Sequence, residues 1–374
     1  MKIIIIGLGA SGSIAAINYK RNHPNDDVLV IEHLDKPLKK ILATGNGKCN
    51  LGNSNINFNR YSNPSFVKDV FDDFKFEAYK DFLNSLNIHT KLIGKLLYPI
   101  SESAISVRDA LVKEINRLHI NVNLNEEFLD YTCEKQIKVI TNKAQYECDK
   151  LFITGAGKSS PKLGSDGSTF DILKKHGYKV RELYPGLTPI YTKEKTKILD
   201  GIRVKANVSL FKDNTLIHTE SGEVLFKQKG LSGIVIFNLS SLIARQPQST
   251  YKISLDLLDQ YSSKELENLR KNQTNIEFLQ GFIHPTLVQY FIDNKLDKDP
   301  IKNIKSLSFN FEDFYGFEFS QVSVGGLLPN NFLTNLESKL EKNVFVLGEL
   351  IDVDGPCGGY NLTWAFYSAI KATK

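Results

Sequence analysis

Lys2-Ile-Ile-Ile-Ile6 followed by Gly7-Leu-Gly-Ala-Ser-Gly12 is the stretch that decides the fold. Four consecutive isoleucines are too few for a buried helix, and each is β-branched. The run predicts a short strand covered on both faces, the usual state of a central parallel strand. It stops at Gly7, and Ser13–Lys20 is helix-compatible, with Ile14, Ala15 and Ile17 on an apolar side. A GxGxxG motif between a strand and a helix is informative where the bare motif is not. Gly7 permits the tight turn, Gly9 lets a pyrophosphate approach the backbone, and Gly12 lets helix and sheet pack closely. The helix N-terminus then offers unpaired N–H groups and its positive end to phosphates.

A second strand is expected at Val28–Ile31, ending on Glu32, 20 positions after Gly12. A carboxylate there accepts hydrogen bonds from both hydroxyls of an adenosine ribose and repels a 2′-phosphate. The first half of the chain therefore reads as an α/β dinucleotide-binding domain that disfavours NADP in this site. The plain alternative is a glycine turn in an α/β domain that binds no nucleotide.

The 374 residues suffice for two domains. At 41% hydrophobic and 24% charged, with a net charge of +5 and both signs interspersed, the chain does not advertise a nucleic-acid partner. Cys49, Cys133, Cys148 and Cys357 lie far apart and form no CxxC pair, the pattern of free thiols in a reducing compartment. Glycines interrupt the apolar start before it can act as a signal peptide. No apolar run reaches the roughly 18 residues of a membrane span. The expected location is the cytoplasm, and no membrane association is expected.

Residues 33–63 read as a glycine-, asparagine- and lysine-rich loop, suited to wrapping a phosphorylated or heteroaromatic ligand or to lying solvated at the surface. The aromatics of Phe66–Asn87 have helical spacing and read as core. Ser103–Leu118 reads as an amphipathic helix capped by Ser101 or Ser103. Val122–Cys148 reads as short strands forming a small antiparallel excursion. In Lys150–Gly157 the strand-then-glycine theme returns, but Phe152 occupies the glycine position that a P-loop ending at Lys158-Ser159 requires, so triphosphate hydrolysis is rejected. From about Pro185 the texture changes. Ile202–Leu210 and Thr215–Thr219 read as antiparallel strands, Gly222–Gly233 as a turn region, Ile234–Ala244 as a buried helix and Ser262–Asn294 as mostly helical. Residues 186–320 are assigned to an inserted substrate or cap domain, β-rich with a helical part at about 258–300, interrupting a domain made of 1–185 and 321–374.

Near the C-terminus, the apolar strand Asn343–Leu347 runs into Gly348-Glu-Leu-Ile-Asp-Val-Asp-Gly-Pro-Cys-Gly-Gly-Tyr-Asn361, and a helix follows at Leu362–Ala372. A nicotinamide dehydrogenase domain needs one glycine-lined helix start. An elongated cofactor with a phosphate end and a distant redox ring uses two, the second stabilising negative charge at the ring. This argument favours FAD over NAD.

These residues resemble the BaiN/YhiN-type family of FAD-binding oxidoreductases, in the glutathione-reductase-like flavoprotein class. The resemblance spans nearly the whole chain. It rests on Gly7–Gly12 with Glu32, on Lys40-Ile-Leu-Ala-Thr-Gly-Asn-Gly-Lys-Cys-Asn50, and on Thr154-Gly155. It continues through Gly222-Glu-Val-Leu-Phe226, Gly230-Leu-Ser-Gly233, Val322-Ser-Val-Gly-Gly326 and the final Gly348–Trp364 block. It implies a Rossmann-like FAD-binding domain built from both chain ends, with an inserted β-rich domain and a helical subdomain. By the same resemblance, Gly7, Gly9, Ala10, Ser11 and Gly12 hold the pyrophosphate, Glu32 the adenosine ribose, and the backbone at Phe128 meets adenine. Thr44, Gly45, Asn46, Gly47 and Asn50 line the flavin side, and Lys40, Thr154 and Gly155 are counted among the cofactor-binding residues. Gly348, Glu349, Gly359, Tyr360, Asn361 and Leu362 close the site beside the ribityl chain and pyrimidine.

The chain departs from the family pattern at four places. Leu38-Lys39-Lys40 stands for Gly-Arg-Lys, and Lys48 stands for an arginine whose planar fork it lacks. Lys227-Gln228 stands where Thr-His is common, and Ile234 replaces a proline. The cofactor is therefore carried over and the substrate is not.

Cys49 and Cys357 fall in segments expected near the flavin, as redox thiols or as small residues filling tight turns. No histidine spacing suits a metal, and none is predicted. The function expected is an FAD-dependent oxidoreductase moving a hydride between flavin N5 and a small organic substrate. With no second GxGxxG, NAD(P)H enters only as a transient donor. The alternative is a non-catalytic flavin- or nucleotide-binding module, RNA-associated through segments such as Lys193–Lys197, and betrayed by salt-sensitive tRNA binding. An NAD-dependent dehydrogenase, without yellow chromophore, is the third reading. Catalytic acid or base, substrate and oligomeric state are not assigned.

Overall fold

A strand of four isoleucines has no polar face to give to water and must be covered on both sides. In the computed structural model, which describes all residues Met1–Lys374, Lys2–Ile6 forms strand β1 and Ile3, Ile4, Ile5 and Ile6 are all buried. Burying each contributes roughly 1.5–3 kcal/mol of transfer free energy.

The chain divides into two units, Met1–Tyr184 with Gln321–Lys374, and Pro185–Ser320. In the first, β1 leads through α1 (Ala10–Asn22) to β2 (Asp27–Ile31) and α2 (Lys39–Ala43). Strand β3 (Gly52–Asn53), helices α3 (Pro64–Val70) and α4 (Phe76–Ser85), and strands β4 (Thr90–Ile93) and β5 (Leu96–Pro99) follow, with a small sheet ordered β3-β5-β4. Helix α5 (Ala104–Arg117) and β6 (Asn121–Asn123) precede an antiparallel sheet of β7 (Phe128–Cys133), β8 (Ile137–Thr141) and β9 (Gln145–Cys148). Then come β10 (Lys150–Ile153), α6 (Ser168–Lys175) and β11 (Val180–Gly186).

The second unit is β-rich. Strands β12 (Ile190–Thr192), β13 (Arg203–Lys212), β14 (Thr215–Lys227), β15 (Gly230–Ser232), β16 (Tyr251–Asp256) and β17 (Leu307–Phe314) close a barrel in the order β12-β15-β14-β13-β16-β17. Val208, Leu210, Val224, Phe226, Ile253 and Phe309 fill it. Helix α7 (Ile234–Ala244) follows β15, and α8 (Ser263–Arg270), α9 (Asn275–Gln280), α10 (Pro285–Asp293) and α11 (Pro300–Lys305) lie between β16 and β17.

The chain then returns to the first unit with β18 (Val322–Leu327), which pairs with β11, then β19 (Val344–Val346) and α12 (Tyr360–Ala372). The main sheet runs β19-β10-β1-β2-β6, all parallel, with Ile3 opposite both Val28 and Lys150. First and last helices are tied together: Asn18 Nδ2 donates to Thr373 Oγ1 at 2.8 Å and Asn22 Nδ2 to Thr373 O at 2.9 Å. No helix is long and apolar enough to cross a membrane.

Three local expectations are corrected. The loop expected across 33–63 contains helix α2, which turns Ile41 into the core. The helical stretch expected over Phe66–Asn87 is two helices, parted where Asp72 and Asp73 pair with Lys371 of α12. There Phe71 stacks on Trp364 with ring centroids 6.0 Å apart. The turn region expected at Gly222–Gly233 is mostly strand. Gly222 sits in the ladder opposite Ala206, and a Cβ on it would come within 2.5 Å of Val235 Cγ2. This glycine lets α7 lie close; it does not end the strand.

Candidate functional site

One cleft in the first unit lies at the C-terminal ends of β1 and β10 and takes in the starts of both α1 and α12. Gly7, Gly9, Ala10 and Ser11 line it, with Glu32, Lys40, Thr44, Phe128, Thr154, Gly155, Glu349, Asn361 and Leu362. Ligands commonly bind at this edge of a parallel sheet.

At the start of α1, Gly9 is the N-cap and no side chain caps the helix. The N–H groups of its first turn have no intrahelical acceptor. A Cβ on Gly9 would meet no protein atom within 4 Å although the residue lines the cleft. The glycine thus leaves open volume before uncapped donors, which fits a pyrophosphate cradle. Gly12 does not line the cleft. A Cβ there would collide with Gly7 O and lie 2.5 Å from Thr154 Oγ1, so this glycine serves the turn itself. Thr154 Oγ1 donates to Ile6 O at 2.7 Å and seals the β1–β10 edge.

Glu32 is buried at the end of β2. Its Oε2 accepts from Leu8 N at 2.6 Å, its Oε1 from Leu34 N at 2.9 Å, and His33 Nδ1 stands 3.2 Å from Oε1. Burial pushes the carboxyl pKa up, but the bonds from His33, Leu8 and Leu34 outweigh it and the net shift is downward. Glu32 is an ionised acceptor that lines the cleft with about one of its four lone-pair sites still open. Phe128 opens β7 at this end, beside Glu126 and Glu127.

At the opposite end, α12 also begins without a side-chain cap, on Gly359 at φ +88. Asn361 and Leu362 reach the cleft, while Gly359 and Tyr360 do not. A Cβ on Gly359 would collide with the Gly52 backbone, and Tyr360 is buried with its carbonyl bound by Tyr61 OH at 2.7 Å. Asn361 closes its own turn, exchanging bonds with Gly355 N (2.9 Å) and Gly355 O (2.8 Å). Gly348 also lies off the cleft: its N–H donates to Ser368 Oγ at 3.2 Å and its carbonyl accepts from Trp364 Nε1 at 3.0 Å. Of the Thr44–Asn50 loop, Thr44 alone lines the cleft. Gly45, Asn46 and Gly47 are exposed, and Asn50 bridges Leu97, Gly52 and Gly359 through its amide.

A polar cluster stands midway. Lys40 Nζ donates to Glu349 Oε2 at 2.7 Å, to Ser165 Oγ at 3.3 Å and to Ser159 Oγ. Glu349 Oε1 accepts from Ser159 Oγ at 2.9 Å and Ser323 N at 2.7 Å. Ser165 has no signal in the sequence; Ser159 appears there only in the rejected P-loop reading, and Ser323 only inside the quoted Val322–Gly326 block. Cys49 is fully buried and its thiol is pushed up to about 11 by that burial, the reverse of an activated nucleophile.

The family model for the HI0933-like protein Rossmann domain matches residues 1–374. A 3-dehydro-bile acid delta(4,6)-reductase of Clostridium scindens is 30% identical over 400 aligned positions, covering 99% of this chain and 98% of its own. A ribosomal RNA dihydrouridine synthase of Escherichia coli is 27% identical over 394, covering 98% and 95%. Among solved structures, a 3-ketosteroid-delta4-(5alpha)-dehydrogenase of Rhodococcus jostii shares the fold, with a TM-score of 0.52 at 11% identity over 100% of this chain and 96% of that one. With the glycine-lined cleft at the sheet edge and the full-length match together, the chain belongs to the HI0933-like Rossmann family and is a flavin-dependent oxidoreductase.

Proposed function

We propose that the cleft binds FAD lengthwise and that the protein reduces a carbon–carbon double bond conjugated to a carbonyl in a small organic substrate. The observation that carries this reading is the meeting of two uncapped helix starts, one from each chain terminus, on one cleft with an ionised acceptor at one end.

In this reading Gly7, Gly9, Ala10 and Ser11 face the pyrophosphate, Glu32 accepts from a ribose hydroxyl through its remaining lone pair and Phe128 borders adenine. Gly12 and Thr154 keep the turn in shape, and Gly155 leaves room beside it. Toward the other end Thr44, Glu349, Asn361 and Leu362 border the ribityl chain and ring. Gly45, Asn46, Gly47 and Asn50 shape the loop behind Thr44, and Gly348, Gly359 and Tyr360 shape the helix start. Bound FAD would supply a two-electron carrier whose N5 exchanges a hydride with carbon. The α12 start would stabilise negative charge at the ring end, and Glu32 would disfavour a 2′-phosphate at the other.

Two relatives support this substrate class. A delta(4,6) double bond of a 3-dehydro bile acid and the bond saturated in dihydrouridine are both conjugated to a carbonyl. The small polycyclic ketone is preferred because that relative is the more similar of the two. Substrate selection is assigned to the Pro185–Ser320 unit, where Lys227-Gln228 departs from the family's Thr-His. Reduced nicotinamide is the proposed transient donor.

The test is direct. Purified protein should be yellow or become so with FAD, bleach anaerobically with NADH or NADPH, and recover colour on adding a 3-oxo-4,6-diene steroid. Recovery with uridine-containing ribosomal RNA instead would move the substrate to the second class. Protein that stays colourless with FAD ends the proposal.

A further inference from the structure

The segment from Gly155 to Gly167 has no strand partner, and its one regular feature is a single turn at Pro161–Leu163. It runs along the cleft, contributing Leu163, Gly164 and Ser165 to the lining. In its middle, a Cβ on Gly164 would approach Leu34 Cδ1 to 2.6 Å, so the segment reaches the far wall. Ser160, Gly164 and Gly167 have φ of 56°, 96° and 85°. A serine in that region is held there by its surroundings.

One end of the segment is rooted. Lys158 N and Ser159 N both donate to Ser323 Oγ, at 2.6 and 3.1 Å. Across the cleft its side chains meet the Lys40 amine, and Ser159 Oγ also donates to Glu349 Oε1 at 2.9 Å. Lys40 Nζ engages Ser159, Ser165 and Glu349 together, and an ammonium has three donors. All three are spent within the protein. We infer that Lys40 is the latch of a strap closing over the cofactor cleft, a positioning residue that governs dinucleotide entry and escape. This rests on the FAD reading above.

The experiment has two readouts, neither of them turnover. Release of FAD from the loaded protein, followed by the rise in flavin fluorescence, should be roughly tenfold faster in Lys40→Met than in wild type. Added salt should speed release from wild type, because the Lys40–Glu349 pair is partly exposed, and should leave Lys40→Met unchanged. Trypsin should cut after Lys162, exposed on the strap, faster in the variant. A Ser159→Ala/Ser165→Ala double variant, which keeps the ion pair but frees the strap, should accelerate both, and it decides the matter if Lys40→Met does not fold. Equal release and equal cleavage in variant and wild type overturn the latch. Wild type that binds no FAD sinks the proposed function instead, and the trypsin comparison then judges the latch alone.

Discussion

Helices α1 and α12 are each 13 residues long, begin on a glycine, lack a side-chain cap and face the same cleft. Their glycines nevertheless do opposite things. Gly9 fronts open space, whereas Gly359 is pressed against the backbone of Gly52. One start is shaped for what enters the cleft and the other for the chain behind it. A glycine in a turn is therefore ambiguous until its missing Cβ is placed.

The sharpest way to break this contrast is to add that Cβ. Gly359→Ala puts a methyl into the Gly52 backbone at a positive φ, and overpacking and left-handed strain together should cost about 3 kcal/mol or more. A urea titration of the flavin-free protein would measure it. Gly9 has φ −88, ordinary for any residue, so Gly9→Ala should shift stability by under ~0.5 kcal/mol yet weaken FAD retention roughly tenfold. Equal stability of the two variants would erase the distinction.

Glu32 comes next, because it lines the cleft and also holds the protein's own N–H groups at the α1 end. Removing it in Glu32→Ala leaves the N–H groups of Leu8 and Leu34 without their acceptor, a loss of about 2–3 kcal/mol. The pH dependence follows from its lowered pKa. The contribution is present above the unfolded carboxylate value, about 4.3, and is lost as pH falls through the lower folded value. Acid titration of wild type should show a destabilisation below that point which Glu32→Gln lacks. Coincident acid curves would mean that Glu32 is not charged in the fold.

These residues also show why some of the molecule was readable from sequence. Ile3–Ile6, Gly7–Gly12 and Glu32 announce themselves because a β-branched run, a glycine spacing and a carboxylate at a fixed interval each have one economical explanation. Gly359 and Gly222 look the same on paper as Gly9, and only the opposing surface tells them apart. Ser159, Ser165 and Ser323 are illegible for another reason: serines are common, and these act through partners more than a hundred positions away, Ser159 and Ser165 through Lys40 and Ser323 through the backbone of Lys158 and Ser159. The Asp72–Asp73 break was hidden likewise, since its lysine lies in the last helix.

A smaller effect is expected behind Phe128, the outer wall of the α1 end. Two residues along the same strand, Asp130 Oδ1 lies 2.9 Å from His176 Nε2, and Glu341 Oε1 lies 2.9 Å from Nδ1. Tyr131 stacks on the imidazole at 3.9 Å between centroids and donates, with Tyr178, to Glu341 Oε2. Burial pulls the His176 pKa down, but the two carboxylates outweigh it and the net shift is upward. A raised histidine stabilises fully below its unfolded value, near ~6.5, and its contribution fades as pH rises through the folded value. Wild type should therefore lose about 1 kcal/mol more than His176→Gln between pH 6 and 8.5. A matching loss in FAD affinity would tie this cluster to the α1 end; parallel curves would make it inert.

The smallest effect belongs to the α12 end and concerns Cys49. It neighbours Asn50, whose amide meets Gly359, so it sits on the side of the site built for packing. Its thiol is buried and pushed up to about 11, which leaves roughly one thiolate in a thousand at pH 8. Such a group neither attacks a flavin nor exchanges with a disulfide at a useful rate. Iodoacetamide should leave Cys49 unmodified in the folded protein, as mass spectrometry of its tryptic peptide would show. Cys49→Ala should keep the rate of anaerobic flavin bleaching within about twofold of wild type. A larger fall, or rapid alkylation at pH 8, would mean the α12 end opens to reactants. The division between a ligand-shaped start and a packing-shaped one would then be drawn in the wrong place.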